Sequence, residues 1–207
     1  MARPRSDIRT RVLHAARARF LSDGVDGASL RRIAQEAKTS IGMVYYYFPT
    51  KDDLFLGIVE DVYQGILADL SKALEPTRSV EERLLGLYTR VGSMSEDERM
   101  VVRLVLREAL VSSSRLDSIL ERFQRGHLPL MMKLVVDGIA GGTFRPDIHP
   151  LTIAISMMSL GGMGQLIHRL VAPRAPIPGA PEGRELSEQM VRILLNGVGH
   201  KAAGDDS

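Results

Sequence analysis

The sequence predicts an all-α protein: a small N-terminal head of three helices and a larger helical body, about nine helices in total. Two observations carry this. Apolar residues recur three and four apart in every periodic segment, and no stretch alternates with the two-residue period of a half-buried strand. Glycine, proline and short polar clusters then punctuate the chain at intervals of one helix length.

The first predicted helix covers about residues 7–21, with Ile8, Val12, Ala16 and Phe20 four apart on one stripe and Arg9, Arg11, Arg17 and Arg19 off it. Gly24 and Gly27 mark the exit. A second, short helix covers residues 30–37. Leu30, Ile33, Ala34 and Ala37 form its stripe, and the Ser29 hydroxyl stands where it can accept from free backbone N–H groups. Lys38 and Thr39 leave room only for a turn. Ser40 caps a third helix over residues 41–47, and Pro49 stops it by pushing Phe48 out of helical geometry.

Beyond the head, Leu54, Ile58, Val62, Ile66 and Leu70 define a helix from Lys51 to before Pro76, ~30 Å long at ~1.5 Å per residue. Val80, Leu84, Leu87 and Val91 mark the next, and residues 96–111 another. A longer pattern over residues 115–140 contains Pro129, which predicts a kink or break near residues 125–128. After the turn-rich connector at 143–150, residues 151–171 read as a buried helix, apolar nearly all round, with Gly161, Gly162 and Gly164 in its second half. A proline-rich loop over 173–183 and a helix over 184–199 complete the series.

Composition narrows the function classes. There are no cysteines, so disulfides, thiolate metal sites and a cysteine nucleophile are excluded. The histidines, His14, His127, His149, His168 and His200, are scattered, and no pair has metal-ligand spacing. No enzyme, cofactor or metal is expected. No signal peptide is visible, and the uncharged run at 151–167, 17 residues, falls short of the ~20 a membrane span needs. A cytoplasmic protein without a membrane partner is the expectation. The net charge of +2 conceals an asymmetry: residues 1–51 hold 10 Lys/Arg against 4 Asp/Glu, giving +6, and the remainder carries −4. A basic head on an acidic body places any polyanion contact on the head.

The third helix holds three consecutive tyrosines, Tyr45, Tyr46 and Tyr47, which at ~100° per residue cannot share one core. An outward face with Thr39, Ser40, Tyr45 and Tyr46, with Lys51 nearby, suits phosphate and base-edge contact. The alternative is a tyrosine-rich surface helix with no partner. Gly42 either admits a close backbone approach or packs against another helix. Phe48 reads as a core plug. Arg3, Arg5, Arg31 and Arg32 add sequence-independent contacts or are simply solvated.

Residues 29–54 resemble the DNA-binding signature of the TetR family of bacterial transcription regulators. The resemblance rests on Ile33, Ala34, Ala37, Ser40, Gly42, Val44, Tyr45, Tyr47, Phe48, Lys51 and Leu54. It implies a helix-turn-helix with the 41–47 helix in the major groove, and a homodimer reading a palindromic operator on double-stranded DNA. It divides the chain into a DNA-binding domain, residues 1–50, and an effector-binding and dimerisation domain, residues 51–207. Ser29, Thr39, Ser40, Gly42, Met43, Tyr45, Tyr46, Tyr47 and Lys51 match positions that touch DNA in the family. Lys38 departs from the pattern where the turn usually holds glycine, and Met43 where a small polar residue is common. The implied function is a repressor released by a small, mostly apolar effector. The alternative is a DNA-binding regulator or accessory factor without one. Tyr63, Tyr88, Arg103, Arg107, His127, Gln165 and His168 are the candidate polar lining of an effector pocket, among methionines that equally suit an ordinary core. The last two helices, about 151–171 and 184–199, are the dimer candidates.

Overall fold

The computed structural model describes residues 5–172, 174–175 and 178–198. Arg3, His200 and the tail at 201–207 lie outside the described residues, as does the side chain of Arg5. Among the described residues the chain forms ten helices and no strand: α1 (Arg5–Gly27), α2 (Leu30–Glu36), α3 (Ile41–Tyr47), α4 (Lys51–Ala73), α5 (Val80–Gly92), α6 (Glu96–Val111), α7 (Ser113–Arg125), α8 (His127–Ala140), α9 and α10 (Gly183–Val198). Helix α9 runs through three segments, Pro150–Met157, a π-helical Met158–Met163, and Gly164–Val171.

The count exceeds the expected nine because the pattern at 115–140 is two helices. The break falls at Gly126 (φ −113°, ψ −110°), and Pro129 becomes the third residue of α8. A proline in a first turn removes an N–H that has no helical partner, so the chain breaks upstream of the ring instead of kinking at it. Helix α1 also differs from expectation. It continues past Leu21 to Gly27 through a non-helical Gly24 at φ 76°.

By packing, the chain divides into two compact units: residues 1–66 with 95–123, and residues 67–94 with 124–207. In the first, α1 packs on α2, α3 and α6 around Val12, Leu13, Ala16, Phe20, Ile33, Val44, Leu54 and Ile58, all essentially buried. Each such Val, Leu, Ile or Phe side chain contributes about 1.5–3 kcal/mol by leaving water. Phe48 is buried with them, in a space that Gly57 leaves open: a Cβ there would stand 2.6 Å from the Phe48 ring. Arg17, predicted to lie off the stripe, is buried as well and donates to Asp61 at 2.5 Å, with Asp97 at 3.5 Å.

In the second unit, α5 packs on α10 and on the middle of α9. Reciprocal caps start α5 (Ser79 with Glu82) and, in the first unit, α6 (Ser95 with Glu98). The π-helical turn of α9 has a visible cause. The Tyr88 ring lies where a side chain at Gly161 would stand, 1.8 Å from a Cβ, and the Tyr88 hydroxyl donates to the Met157 carbonyl at 3.0 Å. The expectation of a buried α9 is corrected: only 28% of its most apolar window is buried. Ile153, Ala154, Met157, Gly161 and Gln165 face inward, while Leu151, Ile155, Met158, Met163, Ile167 and Val171 are exposed. By length and apolarity the stretch Pro150–Arg169 is enough to cross a membrane. Its inner face is nonetheless a protein core with a buried Gln165–Ser187 hydrogen bond of 3.0 Å.

Candidate nucleic-acid interface

The site is built on two short helices and the turn between them. Ser29 accepts from the Arg32 N–H and Ser40 from the Met43 N–H, so both helices start on the hydroxyls expected of them. Helix α2 ends in a Schellman closure: the Lys38 N–H donates to the Gln35 carbonyl and the Thr39 N–H to the Ala34 carbonyl, each at 3.0 Å. This closure demands a left-handed residue, and Lys38 supplies it at φ 51°. The departure from glycine is therefore absorbed as strain, about 1–2 kcal/mol for an L-residue, and the turn keeps its shape. Arg11 steadies the same residue, donating to the Lys38 carbonyl at 3.4 Å.

Helix α3 is fixed from beneath by Val44 and Phe48. Its other side is open. A Cβ on Gly42 would meet only the Ser40 hydroxyl, at 3.9 Å, so no helix packs against this glycine and the helix-packing reading is excluded. Tyr45 and Tyr46 are 51% and 66% exposed, the expected outward pair. Tyr47 is half-buried and edge-on to Tyr46, ring centroids 5.1 Å apart. Thr39 and Met43 are half-buried at the rim, and Arg31 and Arg32 on α2 are exposed. Hydroxyls, guanidinium groups and bare backbone on one small convex surface can donate to phosphates and reach base edges.

Lys51, expected to touch DNA, is the first residue of α4, where a cation is unfavourable by the helix dipole alone. Its ammonium donates to the Asp26 carbonyl at 2.5 Å, and the first turn of α4 carries Asp52 and Asp53. Thr50 and Asp53 cap one another across that turn, at 3.0 Å in each direction. The helix end is thus satisfied within the protein. An ammonium has three N–H donors, so Lys51 keeps capacity for an external anion.

The predicted effector-lining residues divide between the two units. In the first, Tyr63 is buried with its ring 5.7 Å from that of Phe123. Arg103 is exposed on α6, because Val101 and Leu104 take the inward positions. Arg107 donates to the Leu21 carbonyl at 2.9 Å. In the second, Tyr88 and Gln165 are buried and satisfied by Met157 and Ser187. His127, half-buried at the start of α8, has its pKa pushed down to about 4 by burial, so it is neutral at pH 7. The buried Nε2 of His168 has no hydrogen-bond partner. A groove of about 360 Å³ in this unit is lined by Glu81, Leu85, Glu188, Val191, Arg192, Leu195 and Asn196, none of them predicted, and its rim is charged.

Sequence reasoning missed an ion cluster beside the site, with a buried Arg115–Glu108 pair and two exposed carboxylates. Arg115, on α7, donates to Asp26 (2.5 and 3.1 Å), Asp52 (2.8 Å) and Glu108 (2.7 Å). The Arg115 hydrogen bond holds the Asp26 carboxyl below its usual range. The partners lie 89, 63 and 7 residues from Arg115, so no local spacing announces them.

Residues 12–58 match the model for bacterial regulatory proteins of the tetR family. The chain is 26% identical over 130 residues to YttP of Bacillus subtilis, a probable HTH-type transcriptional regulator, covering 62% of this chain and 63% of that one. It is 22% identical over 199 residues to the HTH-type transcriptional repressor KstR2 of Mycolicibacterium smegmatis, covering 92% and 90%. Its fold matches that of the transcriptional regulator FadR from Bacillus subtilis, solved with stearoyl-CoA, at a TM-score of 0.73 and 16% identity, covering 91% and 98%. With the matched residues spanning α1 to α4 and the α2–α3 surface open as described, the N-terminal part of the chain is a DNA-binding domain of the tetR family of bacterial regulatory proteins, the domain of a transcriptional regulator.

Proposed function

We propose that the protein is a cytoplasmic repressor that binds a palindromic operator as a homodimer and is released by a small, mostly apolar effector. Residues 1–50 read the DNA, and residues 51–207 hold the effector and the mate. The observation that carries the DNA reading is the open face of α3, where Gly42 meets no neighbour and Tyr45 and Tyr46 stand in solvent. Ser29, Thr39 and Ser40 border it, with Tyr47 and Met43 at the rim. Met43 offers a thioether in place of a hydrogen-bonding group and favours contact with a thymine methyl. Tyr45, Tyr46 and Lys51 serve phosphates.

The dimer is supported by the outer stripe of α9 together with Ile193 of α10, aliphatic side chains left exposed on a single chain. A closed pair through this face is isologous, which matches two heads to two inverted half-sites. The effector reading leans on the relatives: KstR2 is named a repressor, and FadR was solved with stearoyl-CoA. In this chain it draws on the neutral His127 and the unpartnered His168 Nε2, in the same compact unit as the buried Met131 and Met157.

Selection of bound duplexes from a random pool tests the proposal. Inverted repeats one helical turn apart are expected, and release by one class in a panel of small molecules. Recovered sequences without inverted symmetry would sink the dimeric-reader reading. Replacing Lys51 by Ala should weaken binding to all sequences and reduce the salt slope by about 1.

A further inference from the structure

The helix-turn-helix segment begins just after Asp26 and ends just before Asp52, and both carboxylates meet on one guanidinium. Arg115 is 7% exposed at its side chain and engages all three nitrogens of its planar fork: Nε to Asp52, Nη1 to Asp26 and Glu108, Nη2 to Asp26. Glu108, 3% exposed, backs it from α6. Two further ties close the same gap. Lys51 donates to the Asp26 carbonyl, and Arg107 of α6 donates to the Leu21 carbonyl. Arg107 also covers Gly24, whose φ of +76° kinks the chain within α1; a Cβ there would stand 2.9 Å from the guanidinium. Three cations (Lys51, Arg107, Arg115) thus balance three carboxylates (Asp26, Asp52, Glu108) within one compact unit.

We propose that Arg115 is a positioning residue for DNA binding: from α7 it clamps the entry and exit of the α2–α3 segment and thereby fixes the recognition helix against α1 and α4. The proposal rests on the reading of α3 as the DNA-contacting helix. A seven-residue helix with a strained turn cannot hold its own orientation; its two chain ends must be anchored. Arginine suits the task because one rigid fork reaches both ends, whereas a lysine would hold one carboxylate at a time.

The chain has no cysteine, so an Asp26→Cys/Asp52→Cys variant carries the only thiols. It removes both exposed ends of the clamp and leaves the buried Arg115–Glu108 pair in place. The probe is a duplex that the parent protein recovers from a random pool. The reduced variant should bind it roughly ten-fold more weakly, and a short bis-maleimide bridge between the two thiols should restore most of that loss. Arg115→Gln should weaken binding at least as much, with Arg115→Lys between it and the parent. Amide hydrogen exchange across residues 28–51 should quicken in the reduced variant and slow on bridging, while α9 and α10 keep the parent's rates. Parent-like binding by the reduced variant overturns the proposal, as does a loss of binding that the bridge leaves untouched. If the parent recovers no duplex, the DNA reading fails; the exchange experiment then still decides whether the clamp orders the segment.

Discussion

The outer faces of α3 and α9 both expose large side chains, and they differ in what those side chains end in. On α3, Tyr45 and Tyr46 carry hydroxyls beside a bare Gly42 backbone; on α9, Ile155 and Ile167, 55% and 52% exposed, end in methyl groups. An aromatic ring with a polar tip is at ease in a wet, charged contact such as a phosphate backbone. A run of aliphatic side chains gains only when water leaves, which needs a dry, complementary apolar surface. Each helix also has a buried side that fixes it, Val44 and Phe48 under α3 and Ile153 and Met157 under α9. The same amphipathic logic therefore yields two exposed surfaces of opposite character.

The largest expected effect breaks the aliphatic surface. Ile155→Arg should turn a dimer into a monomer at micromolar concentration in sedimentation experiments. Because the second head then loses its tether to the first, affinity for an inverted-repeat duplex should fall by about 10²–10⁴-fold. A variant that sediments and binds as the parent does would remove α9 from the interface. Next come the glycines, which test the two helices at the backbone. Gly161→Ala drives a methyl into the Tyr88 ring and should cost about 3 kcal/mol, read as a lower midpoint in urea. Gly42→Ala should do the reverse: helix propensity raises stability by up to ~1 kcal/mol, while DNA binding weakens. If Gly42→Ala binds DNA unchanged, the close backbone approach is wrong. Smaller still, Tyr45→Phe and Tyr46→Phe should each cost about 0.5–1.5 kcal/mol of binding, the worth of one hydrogen bond, without moving the melting temperature.

Which of these features the sequence announces follows from how far apart the interacting residues lie. The ends of α2 and α3 were legible because Ser29, Ser40 and Pro49 act within three residues of themselves. The tyrosine face was legible from helical geometry alone. Pro129 signalled a break near residues 125–128, and the break sits there, at Gly126, because a proline is comfortable three residues into a new helix. Arg17, off its helix's apolar stripe, and Arg115, which no pattern singles out, are both buried, each neutralised by carboxylates from distant segments. The glycines of α9 predicted close approach without naming what approaches. Tyr88 is the answer for Gly161, and it lies on another helix of the same unit.

Lys38 sharpens the comparison at its finest grain, since it is the one described non-glycine residue with positive φ, and it sits in the turn that presents α3. Two effects oppose one another in Lys38→Gly. The left-handed strain is relieved, worth about 1–2 kcal/mol, while glycine's extra freedom in the unfolded chain takes back about 0.4–1 kcal/mol. The net should be a gain of up to about 1.5 kcal/mol, seen as a small rise in the denaturation midpoint. Binding should move the other way by a comparable amount, because an exposed ammonium beside the recognition helix is lost, and that loss should shrink as salt rises. A stability gain with no salt-dependent change in binding would mean that the lysine serves neither the turn nor the phosphates. The opposite outcome, lower stability, would show that the stem of Lys38 packs usefully enough to outweigh its backbone strain.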